Sequence, residues 1–416
     1  MSNPSIILRW KKLLNQIVVS LFGGGVSIFL GVLSLSLSSK LLGPEGRGEL
    51  AVLMTIPLMS AGIVGLGTGY AAVHFTVINI NNIYTNWKNA LIINLYSVPL
   101  IIICGLVYYS SVTREIPILN LGVLILVTIS AATYSSTWGI YLGLQNFKAY
   151  NIKKIIPQVL YLFSIVSAIY LKQARHIVIL YCLLLLLYTL FEYKTGHKKF
   201  RNEELEPKHN RFIFFKYGFK SFIPSVPQIL SQRIDLLAAI SVLDNRQVGL
   251  YAVSVTIGQL FQTLNASLGN VLLAKEKEVD EKISFKFFQR FVTSVLITNS
   301  IVMVCCFLFG ETAIEIMLSE KFLSIKDLVP FLVLSGILGG INSIIYDGFR
   351  ACSCQIIPII SEVLCLIAKS SLIFYAIQVN SINLKALAHS TLIGTGISLI
   401  YSLYFLFKMN NYEKTD

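Results

Sequence analysis

The chain has 416 residues, 55% of them hydrophobic and only 13% charged, with a mean hydropathy of +0.71. Soluble globular proteins carry about 25% charged residues. A water-soluble fold could not hide this much apolar surface, so the solvent must be lipid. The formal net charge is +13, and its placement along the chain points to anionic headgroups and excludes a nucleic-acid partner.

The N-terminus is basic (Arg9, Lys11, Lys12) and leads into an apolar run over 17–42. That run is too long for a signal-peptide core and lacks the usual small-residue cleavage site, so it reads as a first, uncleaved span. Windows of about 20 apolar residues, the length of a spanning helix, recur at 50–74, 90–109, 118–141, 155–171, 177–191, 221–243, 248–273, 291–309, 328–349, 356–376 and 386–407. The fold class is therefore all-α: a polytopic membrane protein of about twelve transmembrane helices, with the fifth and sixth windows short. With the N-terminus inside, roughly two-thirds of the Lys and Arg fall in the inner segments. The positive-inside rule then places both termini in the cytoplasm.

The longest inner connection, EYKTGHKKFRNEELEPKHNRFIFFKYGFK (Glu192 to Lys220), lies at the midpoint of the chain. It starts polar and ends basic and aromatic, as a stretch lying in the membrane interface does. The expected organisation is a six-helix bundle over 1–196, a cytoplasmic linker with an interfacial segment over 197–220, and a second six-helix bundle over 221–416.

An internal repeat agrees with this division. LLGPEGRGELAVLMTI (Leu41 to Ile56) can be laid over VLDNRQVGLYAVSVTI (Val242 to Ile257). Leu42 then meets Leu243, Gly48 meets Gly249, Ala51 meets Ala252, Val52 meets Val253, Thr55 meets Thr256 and Ile56 meets Ile257. Both copies fall between the first and second span of their half. A parallel duplication about an axis along the membrane normal, an arrangement found in transporters, would place them so.

On these residues the chain resembles the polysaccharide-exporter branch of the MOP superfamily. KLLGPEGRGELAVLMTIPLMSAGIVGLGTGYA looks like that branch's first-loop signature, and RIDLLAAISVLDNRQVGLYAVS like the start of its second half, an Arg-x-Asp followed by a Gly-x-Tyr loop. Arg47 departs from the pattern, where an aromatic residue often precedes the glycine; placed in a loop, it is expected to matter little. The branch contains the Wzx-type O-antigen flippases. The resemblance implies a substrate, an undecaprenyl-diphosphate-linked sugar, and further partners in a polysaccharide polymerase and chain-length machinery of O-antigen and lipopolysaccharide biosynthesis.

No enzyme motif is present. There is no GxxxxGK[ST], HExxH or GxSxG, and GLGTGY at Gly65 reads as a small-residue helix pattern because no strand precedes it. The five histidines are scattered, and none of the seven cysteines has the spacing of a zinc site. No cofactor and no metal are implied. The outer loops are short, leaving little room for the site of a polymerase or ligase.

Five ionisable residues fall inside spans: Arg233, Asp235, Asp347, Glu362 and Lys369. Such residues are costly in lipid and mark functional sites or ion-pair networks. Arg233 and Asp235 are two apart, about 200° around a helix, so they cannot pair with each other. Two readings stand for the set, a structural network within the second half or contact with substrate. Arg233 leans to the second, because a guanidinium presents a planar fork to phosphate oxygens. Two polar stripes accompany them. Ser20, Gly24, Ser27, Gly31, Ser34 and Ser38 in the first span suggest close helix packing. Gln259, Gln262 and Asn270 in the eighth suggest a cavity whose amides suit sugar hydroxyls. The candidate substrate-binding set is thus Arg233, Asp235, Gln259, Gln262, Asn270, Asp347, Glu362 and Lys369.

The expected function is outward translocation of an O-antigen repeat unit on its lipid carrier by alternating access. The alternatives are a cation-coupled small-molecule exporter of the same superfamily and a membrane-embedded glycosyltransferase or polymerase. The first half holds no intramembrane carboxylate, which speaks against the exporter; Asp235 and Asp347 keep it open.

Overall fold

A computed structural model describes residues 4–112, 118–201, 210–223, 225–274, 308–351, 356–379 and 381–412, together with 299, 304 and 354. Every regular element among them is helical. Helix α1 (Pro4–Val64) runs 61 residues and is broken at Gly43, whose φ of 67° lies in the left-handed region. Glycine adopts that conformation without a Cβ penalty, and Pro44 then starts the new limb where its missing N–H costs nothing. The Leu-Gly-Pro-Glu signature is thus the turn between the first two spans.

A second break follows at Gly65–Leu66–Gly67, before α2 (Thr68–Ile78). Leu66 and Gly67 both have positive φ, and the Gly65 carbonyl accepts the Thr68 N–H. GLGTGY is therefore a turn, in place of the continuous helix expected for it. A Cβ on Gly67 would lie 1.9 Å from the Gly218 carbonyl oxygen, which explains the glycine as well as its φ does. Helices α3 (Ile83–Val112), α4 (Ile118–Gly143), α5 (Phe147–Ser167) and α6 (Ala174–Arg201) complete the first half. Helix α7 (Arg211–Phe222) sinks Phe214 into the core beside α2 and leaves Phe212 and Ile213 exposed.

The seventh window is also broken. Helix α8 (Ser225–Ser231) and α9 (Ile234–Val242) meet at a turn on Gln232 and Arg233. The Asp244 carboxylate accepts the Gln247 N–H at 2.8 Å and so starts α10 (Asn245–Ala274). A helical stretch over 308–317 and a 3₁₀ turn at Glu320–Ile325 precede α11 (Val329–Ala351), α12 (Ile356–Gln378) and α13 (Leu384–Tyr412).

Seven helices among the described residues are long and apolar enough to cross a membrane. The first of them, Phe22–Ile78, spans two of the expected windows. Helix α5, the α8–α9 pair and α10 occupy three more without meeting that length and composition, and most of window 291–309 lies outside the described residues.

The surface is apolar where a soluble protein would be polar: Phe22, Tyr170 and Ile400 are each at least 70% exposed. Polar groups turn inward. Asn94 of α3 accepts from Thr68 and donates to the Ala132 carbonyl and to Ser135, tying α2, α3 and α4 together. In the second half, Asn342, Tyr346, Ser361, Ser398 and Ser402 form one buried hydrogen-bonded chain across α11, α12 and α13. Such bonds are what draws helices together where lipid removes the hydrophobic drive between them. The largest apolar core runs from Leu236 to Leu406 and borrows only Leu35 from the first half among its buried members.

Candidate functional site

A cavity of about 390 Å³ lies where α1, α5 and α6 face α9 and α10. Its walls carry the internal repeat: Ala51 and Thr55 line one side, and their matched residues Ala252 and Thr256 line the other. Thr55 and Thr256 each turn the hydroxyl back to the carbonyl four residues earlier, at 2.6 and 2.7 Å. Ser27, Gly31 and Ser34 also line it, and a Cβ on Gly31 would lie 2.6 Å from a Leu260 methyl. The first-span stripe thus does two things, close packing and lining.

Two arginines, Arg47 and Arg233, reach this cavity, and no acidic residue lines it among the described residues. Arg233 precedes α9, and its guanidinium donates no hydrogen bond to a described residue. Arg47 is only 7% exposed. Its Nη1 donates to Ser38 Oγ at 2.9 Å, linking the two limbs of α1 across Gly43, and the Tyr161 hydroxyl lies against the same guanidinium. Its Nε is buried with no partner, as is the Gln158 Oε1 in the same wall. Tyr161 and Tyr181 meet edge to face with ring centroids 5.2 Å apart. Arg47 therefore stands on a helix inside the protein, contrary to the loop position expected of it.

Asp235 is within electrostatic reach of Arg233 but does not line that cavity. It lines a smaller cavity of about 60 Å³ inside the second half, together with Gln259, Gln262, Glu362 and Lys369. The Tyr251 hydroxyl and the Thr391 hydroxyl donate to its carboxylate at 2.8 and 2.7 Å, and its own neighbour's N–H (Leu236) does so at 2.8 Å. Lys369 donates to the Ser231 carbonyl at 2.7 Å, and Ser231 Oγ donates to Glu362 at 2.9 Å. The Lys369 ammonium thereby caps the last carbonyl of α8, which the break in the helix leaves without its usual partner.

The expected substrate-binding set is thus divided between two cavities. Arg233 alone lines the one between the halves; Asp235, Gln259, Gln262, Glu362 and Lys369 line the inner one. Asp347 is buried near the end of α11, within electrostatic reach of Tyr150 on α5. The side chain of Asn270 lies outside the described residues. Arg47, Gln158, Tyr161 and Thr263 were not singled out as site residues in the sequence. An arginine close to a helix start and an amide one residue after Pro157 were the available signals.

No protein-family model matches the sequence, and no curated protein matches it. Solved structures do match the fold over nearly the whole chain. A MATE structure in complex with MaL6 superposes with a TM-score of 0.69 at 16% identity, covering 98% of this chain and 97% of that one. The lipid II flippase MurJ in an inward closed conformation gives 0.68 at 13% identity, covering 94% and 87%. An outward-facing multidrug resistance MATE family transporter of the MOP superfamily gives 0.64 at 15% identity, covering 98% and 97%.

The chain has the fold of MOP-superfamily transporters, built as a multi-pass helical membrane protein.

Proposed function

We propose that this chain is a flippase for a lipid-linked oligosaccharide, carrying an undecaprenyl-diphosphate-linked repeat unit of O-antigen type from the cytoplasmic to the periplasmic face of a bacterial inner membrane. One observation carries the reading: a cavity between the two halves holds two guanidiniums and no carboxylate among its described lining residues. Cations in a low-dielectric cavity lined by no carboxylate among the described residues favour an anionic ligand, and a diphosphate headgroup supplies one. Arg233 donates parallel, charge-assisted hydrogen bonds to it. Gln158, with its buried unpartnered oxygen, accepts from a sugar hydroxyl. The polyprenyl tail stays in the bilayer, against the apolar outer surface.

In this scheme the halves, 1–196 and 221–416, move against each other about the cavity, with both termini in the cytoplasm. The repeat-matched residues on its two walls support such a motion, since both walls present the same groups to an axis between them. Likeness to a lipid II flippase in fold agrees with the reading.

The test is reconstitution. Purified protein in vesicles should move a fluorescent undecaprenyl-diphosphate oligosaccharide between leaflets, and Arg233→Ala should remove that activity. Vesicles in which the lipid-linked sugar stays put while a cationic drug is exchanged for protons would replace this reading with its rival. That rival, a cation-coupled small-molecule exporter, is favoured by the MATE-like fold and by the buried carboxylates Asp235 and Glu362 in the inner cavity.

A further inference from the structure

The two arginines of the cavity stand at different depths. Arg233 is separated from the turn at Leu243 by the nine residues of α9, about 14 Å of helix. Arg47 sits at the level of that turn, because its neighbour Gly48 touches the carbonyl of Asn245. A diphosphate is short, its two phosphorus atoms sharing one bridging oxygen. Bound at Arg233, it leaves Arg47 facing the part of the head group beyond it. Arg47 is also built to receive something: Ser38 holds one end of the guanidinium, while Nε is buried and unpartnered. A buried charged donor without a partner costs roughly 1–3 kcal/mol or more, a cost that a ligand anion would relieve.

Resting on the flippase reading, we infer that Arg47 recognises a second anionic group, a carboxylate or phosphate carried by the sugar portion of the head group and distinct from the diphosphate. The transported glycan is then acidic. A neutral sugar would leave the Arg47 Nε unsatisfied, and the Tyr161–Tyr181 pair with Gln158 would hold the ring carrying the acidic substituent.

The experiment compares two lipid-linked oligosaccharides on the same diphosphate carrier, one with a uronic acid and one with that carboxylate reduced to the alcohol. Wild-type protein in vesicles should move the acidic lipid about tenfold faster, the ratio expected for one charge-assisted hydrogen bond. Arg47→Gln should bring the ratio to about one, Arg47→Lys should keep part of it, and Arg233→Gln should stop both lipids. Equal rates for the two lipids in wild-type protein would overturn the inference and leave the flippase standing. So would an Arg47→Gln variant that slows both lipids alike, or an Arg47→Lys variant that behaves as Arg47→Gln does. Binding of the two lipid-free glycans to purified wild-type protein is measured alongside. Acid-dependent binding without movement of either lipid would retain the anion site and remove the flippase; no acid dependence would remove the anion site.

Discussion

Gly48 and Gly249 are reciprocal. A Cβ on Gly48 would lie 1.8 Å from the Asn245 carbonyl oxygen, and a Cβ on Gly249 would lie 1.8 Å from the Pro44 carbonyl oxygen. Pro44 and Asn245 are themselves matched positions of the sequence repeat, so each half offers the same glycine to the same backbone group of the other. Glycine is required on both sides because the obstacle is main chain and cannot rotate away. Gly48→Ala and Gly249→Ala should each destabilise the protein by about 1–3 kcal/mol, the cost of forcing atoms into a packed contact. Melting in detergent would measure it. Two alanine variants as stable as the parent would mean that the crossing is looser than drawn.

Arg233→Ala should abolish transport while insertion and protein level stay normal. Adding Asp235→Asn should restore nothing. The Asp235 carboxylate is already met by Tyr251, Thr391 and a backbone N–H in a different cavity. Complementation by the double variant at wild-type level would make the two residues one ion pair after all.

The two amide positions should part company. Gln158 lines the cavity between the halves and Gln262 the inner cavity. Gln158→Leu should weaken binding of the lipid-linked sugar about tenfold, a lost hydrogen bond plus a lost hydration site. Gln262→Leu should leave that affinity unchanged. Titration of purified protein with the fluorescent lipid decides between them, and the reverse ranking would put the glycan in the inner cavity.

Asn94 ties three helices together through one amide. Replacing it with leucine leaves Thr68 and Ser135 to find other partners and should cost about 1–2 kcal/mol, in line with polar contacts between membrane helices. Thermal unfolding in detergent reads this directly, and transport per folded molecule should change little.

Orientation is open to labelling. The bias of cations toward the inner segments predicts a cytoplasmic connection after α6. A cysteine introduced by Leu205→Cys, with the native cysteines removed, should resist a membrane-impermeant reagent in intact cells and react once they are broken open.

Much of the helical framework was legible in the sequence, because twenty-residue apolar windows and the Leu-Gly-Pro-Glu turn are strong local signals. The site was legible only in part. Arg47 looked like a loop residue because hydropathy drops around Pro44–Gly48, yet the chain there is already helix and the side chain points inward. The break at Gln232–Arg233 lies beyond Pro224 and Pro227, which signal a kink in this window but not the turn at which it falls. A hydrophobic window says that a segment lies in the membrane; it does not say where one turn of it unwinds. The positive φ at Leu66 was likewise invisible, since leucine rarely adopts it.

Lys369 and Arg233 never share a cavity, but one depends on the other. The ammonium grips the Ser231 carbonyl at the notch between α8 and α9, two residues before the arginine. In lipid, an ungripped carbonyl would drive the chain to rewind into continuous helix. Rewinding would swing Arg233 by the angle of the lost turn and retract its guanidinium from the space between the halves. The lysine is in effect the bracket on which the arginine is mounted, placed behind the wall of the cavity between the halves.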